Sequence, residues 1–387
     1  MKRRDFLLGS AGLVGAMAPV LVRGQSRPCP QPTLSVNSGP PVSTTCNPLS
    51  TLEQACTALS QGQSAAFPQG QQTAFSQADM EWQSCFQHDD LHGIVHLMGK
   101  QANAPTEWRH QWYTVATGAW TSPSNEFNMW NNPGHVYCNF ALDFTTGDLY
   151  QGRQGMGSTS GYDHQRQIPW RQFANGAPWA YSPVSGAMYS GAMDDIWNGI
   201  AYHPNLYGSG KGGWVADSAT ATYLWNKATD VVTRIAHNSQ QWGDWGGGGL
   251  YWPAYDIAIF GGEGGSPLAK AVGGASPAIS SVGAPPIEVR GYSRIDGGTF
   301  GSLHVHPGNP NKLILISTTD TSYYTATYSG GSLVWSGNLG PHPFTADTSD
   351  TGYARVTCSL RAQLGCLWAL ATNSGGSQYS MLWKPAP

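Results

Sequence analysis

A repeat of about 54 residues constrains the fold of this 387-residue chain more than any other feature. Phe86-Gln-His-Asp-Asp-Leu-His-Gly93 and Phe140-Ala-Leu-Asp-Phe-Thr-Thr-Gly147 share Phe, Asp and Gly, and each precedes a short apolar run. Similar turns recur four more times. One residue taken from each turn gives spacings of 54, 61, 49, 54 and 54 residues, with anchors at Asp89, Asp143, Pro204, Pro253, Pro307 and Arg361. A period of this length is typical of repeat architectures.

Each repeat unit is predicted to form two strands joined by a tight turn, followed by a hairpin. The hairpins are clearest at residues 110–120, 221–232 and 323–335, which are rich in aromatic and β-branched residues. Only 11% of all residues are charged, and no segment has a helical apolar period flanked by Glu and Lys, so we predict an all-β chain. Four antiparallel strands per unit form the blade of a propeller, and six units predict a six-bladed β-propeller.

The repeat units resemble kelch-type propellers, including the central domain of galactose oxidase. The resemblance lies in an apolar strand that ends in Gly-Gly, as in Phe260-Gly261-Gly262, and in the late Tyr and Trp of each unit. It covers about residues 80–387 and implies the architecture rather than an activity. Galactose oxidase binds copper through two Tyr and two His and needs a Tyr cross-linked to Cys. No matching set can be assigned here, so we expect no copper site and leave the cofactor unassigned.

The last unit is one strand short. It has predicted strands near Val356, near Leu367 and at residues 380–383, and then the sequence ends at Pro387. A strand from residues 60–78 is predicted to complete this sheet and close the ring, which removes the open edges. The expected organisation is a signal peptide at 1–24, a Cys-containing N-terminal segment at 25–78 that contributes the closing strand, and the propeller at 79–387.

The first 24 residues are predicted to be an export signal. Lys2, Arg3 and Arg4 precede a weakly apolar run that ends in small residues, the layout of a cleaved signal. Arg3-Arg4-Asp5-Phe6-Leu7 resembles the twin-arginine motif, although Lys2 stands where that family usually has Ser. An ordinary secretory signal is the alternative. Both interpretations predict an exported protein, periplasmic or secreted, with no membrane span.

Removal of this signal leaves 16 basic and 22 acidic residues, a net charge of about −6. A negative chain is a poor partner for nucleic acids and anionic membranes, so neither is expected. We expect a monomer whose ligand is a polysaccharide or another polar extracellular molecule.

The seven cysteines are expected to pair in an exported protein, with one left over. Cys358 and Cys366 flank a tight turn and are predicted to bridge adjacent strands. Two further bridges are expected among Cys29, Cys46, Cys56 and Cys85. Cys138 lies in an apolar strand pattern and is the candidate free thiol, more plausible as core filler than as a nucleophile.

One face of the propeller gathers the candidate functional residues. Loops that enter the first strand of each unit, and loops that join its second and third strands, share that face. Trp and Tyr stack on sugar rings, while Asp, Arg and His bind hydroxyls or carboxylates. The predicted ligand-binding residues are Trp108, Arg109, His110, Trp130, Tyr162, Asp163, His164, Asp195, His237, Trp242 and Trp245. Asp194, Asp244 and His342 map to the same face. Loop packing without a ligand is the alternative role for each residue.

Three functions are compatible with this inventory. The first is a binding or scaffold propeller that recognises an extracellular glycan or peptide. The second is a polysaccharide lyase, in which His135 with Tyr137 removes the α-proton of a uronate and Arg153 or Arg109 neutralises its carboxylate. The third is a metal-dependent or redox enzyme, which the export route favours.

Three histidines at equivalent positions suggest a metal site, because imidazole is a common zinc ligand. His88, His203 and His306 each lie just before the first turn of a unit. They belong to different units and to the face opposite the predicted ligand loops, so repeated turn packing is the preferred interpretation and no metal ligand is assigned. The sequence also lacks a Gly-x-Ser-x-Gly elbow, a phosphate loop and a His-Glu-x-x-His motif.

Overall fold

A computed structural model gives the fold as an all-β propeller. It describes residues 50–71, 85–100, 108–121, 140–143, 145–151, 170–172, 180–181, 185–186, 200–217, 221–236, 248–262, 265–289, 300–344, 354–360, 364–372 and 378–387. These residues belong to one compact unit, Ser50–Pro387. No helix among them is long and apolar enough to cross a membrane.

The N-terminal part of this unit contains a short helix that the all-β prediction missed. Helix α1 (Thr51–Ala58) begins with a capping box: the Ser50 hydroxyl accepts the Glu53 N–H at 3.3 Å, and Glu53 Oε2 accepts the Ser50 N–H at 2.7 Å. Leu52 and Cys56, four residues apart on one face, are fully buried. The first strand, β1 (Ser64–Ala66), and a 3-10 turn at Pro68–Gly70 follow the helix.

The strands of residues 85–236 form three sheets. Sheets 1 and 2 have four antiparallel strands each, and sheet 3 has four antiparallel strands with a short parallel strand, β10, against β14. The strands of sheet 1 are β2 (Cys85–Asp89), β3 (Ile94–Lys100), β4 (Trp108–Thr114) and β5 (Ala119–Thr121). Those of sheet 2 are β6 (Phe140–Leu142), β7 (Leu149–Gln151), β8 (Trp170–Gln172) and β9 (Ala180–Tyr181). Those of sheet 3 are β10 (Ser185–Gly186), β11 (Ile200–His203), β12 (Gly213–Asp217), β13 (Ala221–Asn226) and β14 (Val231–Ala236).

The remaining strands form sheets 4, 5 and 6. Sheet 5 carries a parallel strand, β19, beside β20, and sheet 6 is built from three late strands together with β1. The strands of sheet 4 are β15 (Gly248–Trp252), β16 (Ile257–Gly261), β17 (Leu268–Val272) and β18 (Ala278–Gly283). Those of sheet 5 are β19 (Glu288–Val289), β20 (Phe300–Val305), β21 (Lys312–Ser317), β22 (Tyr323–Ser329) and β23 (Ser332–Trp335). Those of sheet 6 are β24 (Ala354–Leu360), β25 (Cys366–Thr372) and β26 (Gln378–Trp383), with β1.

The predicted strand positions agree with this structure at many points. The hairpins expected at 110–120, 221–232 and 323–335 are β4–β5, β13–β14 and β22–β23, and the strands expected in the last unit are β24, β25 and β26. Strand β1 lies within the window predicted for an N-terminal strand. It pairs antiparallel with β26, with Ser64 opposite Trp383 and Ala66 opposite Met381.

The second antiparallel strand of a sheet has a continuous apolar sequence because its residues are buried on both sides. β12 and β16 are buried at every position, because both faces of each sheet pack against neighbouring sheets. The outer strand β18 instead alternates between exposed and half-buried residues, with only Val282 fully buried. In each sheet, the first strand of the antiparallel set contacts the corresponding strand of the next sheet. These strands are β2, β6, β11, β15, β20 and β24, and their contacts run β24 with β2, β2 with β6, β6 with β11, β11 with β15, β15 with β20, and β20 with β24.

The predicted bridge between Cys358 and Cys366 is wrong. Cys366 pairs with Leu360 across the hairpin, whereas Cys358 lies opposite Trp368, so the register keeps the two residues apart. Cys56, Cys358 and Cys366 are free and buried. Cys56 was expected to bridge within the N-terminal segment, but it lies against Cys366 of sheet 6. Cys29, Cys46 and Cys138 lie outside the described residues.

Candidate functional site

A central cavity lies between the first strands of the six sheets. The cavity is open to solvent, and together with its opening it has a volume of about 870 Å³. None of the described residues that line it is Asp, Glu, Lys or Arg. Its polar lining consists of hydroxyl, amide and imidazole groups, from Gln87, His88, Tyr202, Tyr251, Ser302, His304, Thr357 and Ser359. The described walls therefore carry no carboxylate, ammonium or guanidinium group. Some of their polar groups are already bonded within the protein, as the Tyr251 hydroxyl is to Asp256 Oδ1 at 2.7 Å.

Side chains connect the walls of this cavity between sheets 5 and 6. The Nε2 atom of His304 in β20 lies 2.7 Å from the Thr357 hydroxyl in β24. Two residues further along β24, the Ser359 hydroxyl donates to the Val305 carbonyl at 2.7 Å. His304 is only half-buried, so its ring is held at the cavity wall while part of it stays accessible.

Histidines on the turn side of the propeller connect neighbouring sheets. The turn side is the end where tight turns join the first and second strands, such as residues 204–212 and 306–311. His203 Nδ1 accepts the Asn205 N–H at 3.1 Å, which leaves Nε2 to donate to the Asp256 carbonyl of sheet 4 at 3.0 Å. His306 repeats the geometry: Nδ1 accepts the Gly308 N–H, and Nε2 donates to the Ala386 carbonyl after sheet 6 at 2.9 Å.

These contacts account for two of the three repeated histidines, His203 and His306. Both nitrogens of His203 and of His306 are occupied by backbone groups, so each ring stabilises its own turn and reaches the next sheet. Burial lowers the pKa of both imidazoles, which keeps them neutral. Among the described residues no cluster of three or more His, Cys, Asp or Glu has metal-binding geometry.

An acidic residue occupies the first turn of sheet 1. Asp89 is buried, and its Oδ2 lies 2.7 Å from His92 Nδ1 and 3.9 Å from His96 Nε2. Burial alone would raise the pKa of Asp89, but the nearby imidazole of His96 and the hydrogen bond with His92 hold that pKa below its usual value. Gly147 of sheet 2 approaches this cluster so closely that a Cβ would lie 2.3 Å from His92 Nδ1. The cluster therefore lies in the contact between sheets 1 and 2.

A buried ion pair occupies the next contact, between sheets 2 and 3. Lys227 Nζ lies 2.8 Å from Asp143 Oδ2 and 3.7 Å from Asp148 Oδ2, above the stacked rings of Tyr150 and Tyr202. Asp143 has no solvent exposure. Burial opposes its ionisation, but the hydrogen bonds from Lys227 and Thr145 and the Lys227 charge hold the pKa of Asp143 below its usual range. The buried polar groups of the turn side thus connect one sheet to the next.

The loop side lies at the opposite end, where loops join second and third strands and enter the first strands. Its described turn at 317–322 is internally bonded: Asp320 Oδ1 accepts the N–H and the hydroxyl of Ser322 at 2.8 and 2.6 Å. His342, which the sequence places on this side, is buried. It accepts the Phe344 N–H at Nδ1 and donates from Nε2 to the Ser317 carbonyl at 2.9 Å, so it packs the loop.

The structure describes only a small part of the predicted site. The backbones of Trp108, Arg109 and His110 form the start of β4, paired with Lys100, Gly99 and Met98. They follow the loop at 101–107 and so lie at the loop-side end of sheet 1. The other predicted ligand-binding and catalytic residues lie outside the described residues: Trp130, His135, Tyr137, Arg153, Tyr162, Asp163, His164, Asp195, His237, Trp242 and Trp245.

Sequence reasoning did not identify the polar residues of the cavity wall. His304 and Thr357 come from strands of different sheets, 53 residues apart. The signal for them is a polar residue within the otherwise apolar first strand of a unit, as in Phe300-Gly-Ser-Leu-His-Val305. An alignment of the first strands of the six units would place these polar residues at similar positions, and therefore around the same cavity.

No protein-family model matches the sequence, and no curated protein does. Among solved structures, the chain is similar to the fungal lectin of Aleuria aurantia, described as a six-bladed β-propeller that recognises fucose. The two are 13% identical, with a TM-score of 0.45, over 81% of this chain and 94% of the lectin.

Two further structures show similarity of the same degree. A protein of unknown function from Dyadobacter fermentans is 10% identical, with a TM-score of 0.47, over 84% of this chain and 97% of that one. A gluconolactonase from Xanthomonas campestris is 12% identical, with a TM-score of 0.43, over 80% and 88%. Fucose recognition and gluconolactonase activity are properties of those proteins. The fold assigned to this chain rests on its own strand pairing.

Proposed function

We propose that this chain is an exported six-bladed propeller that recognises a glycan on its loop side, where the central cavity and the surrounding loops meet. The observation that carries the proposal is the lining of the cavity by neutral hydrogen-bonding groups. A neutral sugar has many hydroxyl groups and no charge that a binding site must neutralise. Walls with neutral hydrogen-bonding groups therefore suit it. Stacking on Trp and Tyr adds about 1 kcal/mol or more for each ring in contact.

The six-blade arrangement is part of this proposal. Its support is the cyclic order in which the first strands of the six sheets contact each other, and the pairing of β1 with β26. In this arrangement an N-terminal strand supplies the fourth strand of the last blade. The loops of all six blades then surround one axis, which brings residues far apart in sequence to a common ligand.

The turn side is the less suitable face for a ligand. Its buried polar side chains, among them His203, His306 and Asp143, already make hydrogen bonds within their turns or to the next sheet. A ligand that recruited these groups would have to break those bonds and loosen the contacts between sheets. The loop side carries the aromatic and polar residues that sequence analysis groups there, beginning with Trp108, Arg109 and His110 in β4.

Binding to an array of neutral and uronate-containing oligosaccharides tests the function, followed by calorimetric titration of the best ligand. We expect Trp108→Ala to weaken binding at least tenfold, because a stacking platform is lost. The matched control is Leu91→Ala, which removes a 58% exposed apolar side chain from the turn side and should leave affinity unchanged. Equal losses in both variants, or no binding to any glycan, would contradict the proposal.

A uronate lyase remains the second candidate, motivated by His135 and Tyr137 close together in sequence, with Arg153 as the neutralising cation. Elimination produces an unsaturated uronate that absorbs in the ultraviolet. Absorbance that rises with anionic polysaccharides, and is abolished by His135→Ala and by Arg153→Ala, would favour the lyase. Binding without an absorbance change would favour the recognition role.

Export through the twin-arginine route is tested separately. Replacing Arg3 and Arg4 together by Lys should trap the protein in the cytoplasm, because the route reads the arginine pair. Unchanged export of this variant would favour the ordinary secretory signal. Cell fractionation with an antibody to the protein gives the measurement.

A further inference from the structure

Cys56 and Cys366 lie next to each other in the contact between helix α1 and sheet 6. Both residues are fully buried, in the same apolar cluster. Cys366 Sγ lies 3.9 Å from the Cys56 carbonyl oxygen, so the two residues are in contact. A disulfide between them requires their side chains to rotate until the two Sγ atoms are ~2 Å apart.

We propose that Cys56 and Cys366 form a disulfide bond that covalently fastens the N-terminal segment to sheet 6. The inference is independent of what the protein binds. Sheets that follow one another in sequence are already joined by the chain itself. The segment between Ser50 and Gln71 contributes β1 to sheet 6, but only hydrogen bonds and packing hold it to β24, β25 and β26, which come from the other end of the described chain. A bond at this place adds a covalent link between the segment and β25.

The surroundings of the pair favour the reaction. The hydrogen bond from the Cys56 thiol and the nearby Lys384 charge lower the pKa of Cys366, although its burial opposes the shift. The same interaction and burial raise the pKa of Cys56. Lys384 Nζ donates to the Cys56 carbonyl at 3.2 Å, which holds its positive charge at the site. The Lys384 charge favours a thiolate at this site, and the first attack is assigned to Cys366.

The oxidant is a small disulfide such as oxidised glutathione, or a disulfide-bearing oxidoreductase of the compartment. The Cys366 thiolate attacks one sulfur of that disulfide, forms a mixed disulfide and releases one thiolate. The Cys56 thiolate then attacks Cys366 Sγ and expels the second thiolate. The protein loses two electrons and two protons, and the oxidant becomes two thiols. Because both cysteines are buried, the oxidant reaches them when helix α1 is detached, either during folding or in a local opening.

The bond closes a loop of 310 residues. Cross-linking a long loop restricts the unfolded chain strongly, so the oxidised protein should be the more stable form. Cys358 provides a matched control, because it is equally buried in sheet 6 but lies opposite Trp368.

The test uses the full chain, purified with reductant and then incubated with oxidised glutathione. Alkylation of free thiols and non-reducing digestion should reveal one peptide that contains Cys56 linked to one that contains Cys366. Reduction should separate the two. Thermal unfolding should occur at a temperature higher by on the order of 5 °C in the oxidised sample. This gain should persist in Cys358→Ala and vanish in Cys366→Ala.

Mass spectrometry of the wild-type protein decides the question even if a variant fails to fold. Alkylated Cys56 and Cys366 in the oxidised sample, or a link from either of them to another cysteine, would overturn the proposal. Glycan binding measured on the same reduced and oxidised samples reports separately on the proposed function.

Discussion

Two contacts between sheets hold the propeller together by different means. Between sheets 6 and 1, Trp368 is fully buried and its ring centroid lies 5.6 Å from that of Phe67, 5.1 Å from that of Phe86 and 5.1 Å from that of Tyr113. Between sheets 2 and 3, the contact includes a polar element, the Lys227–Asp143 ion pair, above the stacked rings of Tyr150 and Tyr202.

The difference follows from how the chain connects the sheets. Sheets 2 and 3 are consecutive in sequence, so the polypeptide already keeps them close, and a polar cluster with strict geometry sets their orientation. The N-terminal segment, in contrast, is separated from β24, β25 and β26 of sheet 6 by most of the chain. Burial of aromatic surface is non-directional and large, so it suits a contact that has to be stable without help from the chain.

The largest expected effect comes from removing the centre of the aromatic contact. Trp368→Ala should lower the free energy of unfolding by about 3–5 kcal/mol, because transfer energy is lost and a cavity remains. Urea denaturation gives the value. The control Val334→Ala, at a side chain that is 56% exposed, should change stability by less than about 0.5 kcal/mol. Similar losses of stability in the two variants would contradict the claim that this aromatic contact stabilises the fold.

Breaking the ion pair should cost somewhat less. Lys227→Met leaves the buried Asp143 carboxylate without its cation, and we expect a loss of about 3 kcal/mol. Lys211→Met, at an exposed lysine in the β11–β12 turn, is the matched control. A double variant that adds Asp143→Asn should recover part of the loss. If the double variant is as unstable as Lys227→Met, the buried charge is not the cause.

A smaller effect is expected from overpacking the aromatic contact. A Cβ on Gly70 would lie 2.4 Å from Phe67 Cδ1 and 2.5 Å from Trp368 Cζ2. Gly70→Ala should therefore cost about 1–3 kcal/mol, because rings in a packed core have little room to move. Gly62→Ala tests positive φ instead of packing, since no atom lies near its Cβ position. The two variants separate crowding from backbone strain.

Acid should weaken the polar contact selectively, and this is the smallest effect. The pKa of Asp143 is lower in the folded protein than its ordinary value, so its contribution is present above that ordinary value and is lost as the pH falls through the folded value. Asp143→Asn should flatten the pH dependence of stability below about pH 4. An unchanged slope in this variant would contradict the assignment. The aromatic contact contains no such carboxylate and serves as the internal reference.

The sheets were predictable because their signals are local and repeated. Each unit contains its own turn and its own apolar second strand, so an error in one unit is corrected by the others. The pairing of residues 64–66 with sheet 6 was predictable because the last unit lacked a strand.

Features that occur once were harder to predict. Helix α1 is signalled only by Ser50 and Glu53, a capping box too short to stand out in a β-rich chain. The Cys358–Cys366 bridge was predicted from proximity in sequence, but the register pairs Cys366 with Leu360. The proximity of Cys56 and Cys366 depends on tertiary packing across the unit. The cavity lining was missed for the same reason, since His304 and Thr357 meet only when two sheets are packed together.

A crystal structure of the full chain would show whether the six sheets form a closed ring. We expect six sheets around one cavity, with Ser64–Ala66 paired antiparallel to Gln378–Trp383 and the loop containing residues 101–107 on the same side as the other second-to-third-strand loops. A ring with another number of sheets, or an N-terminal strand paired elsewhere, would contradict it and separate the loops that the proposed ligand must reach.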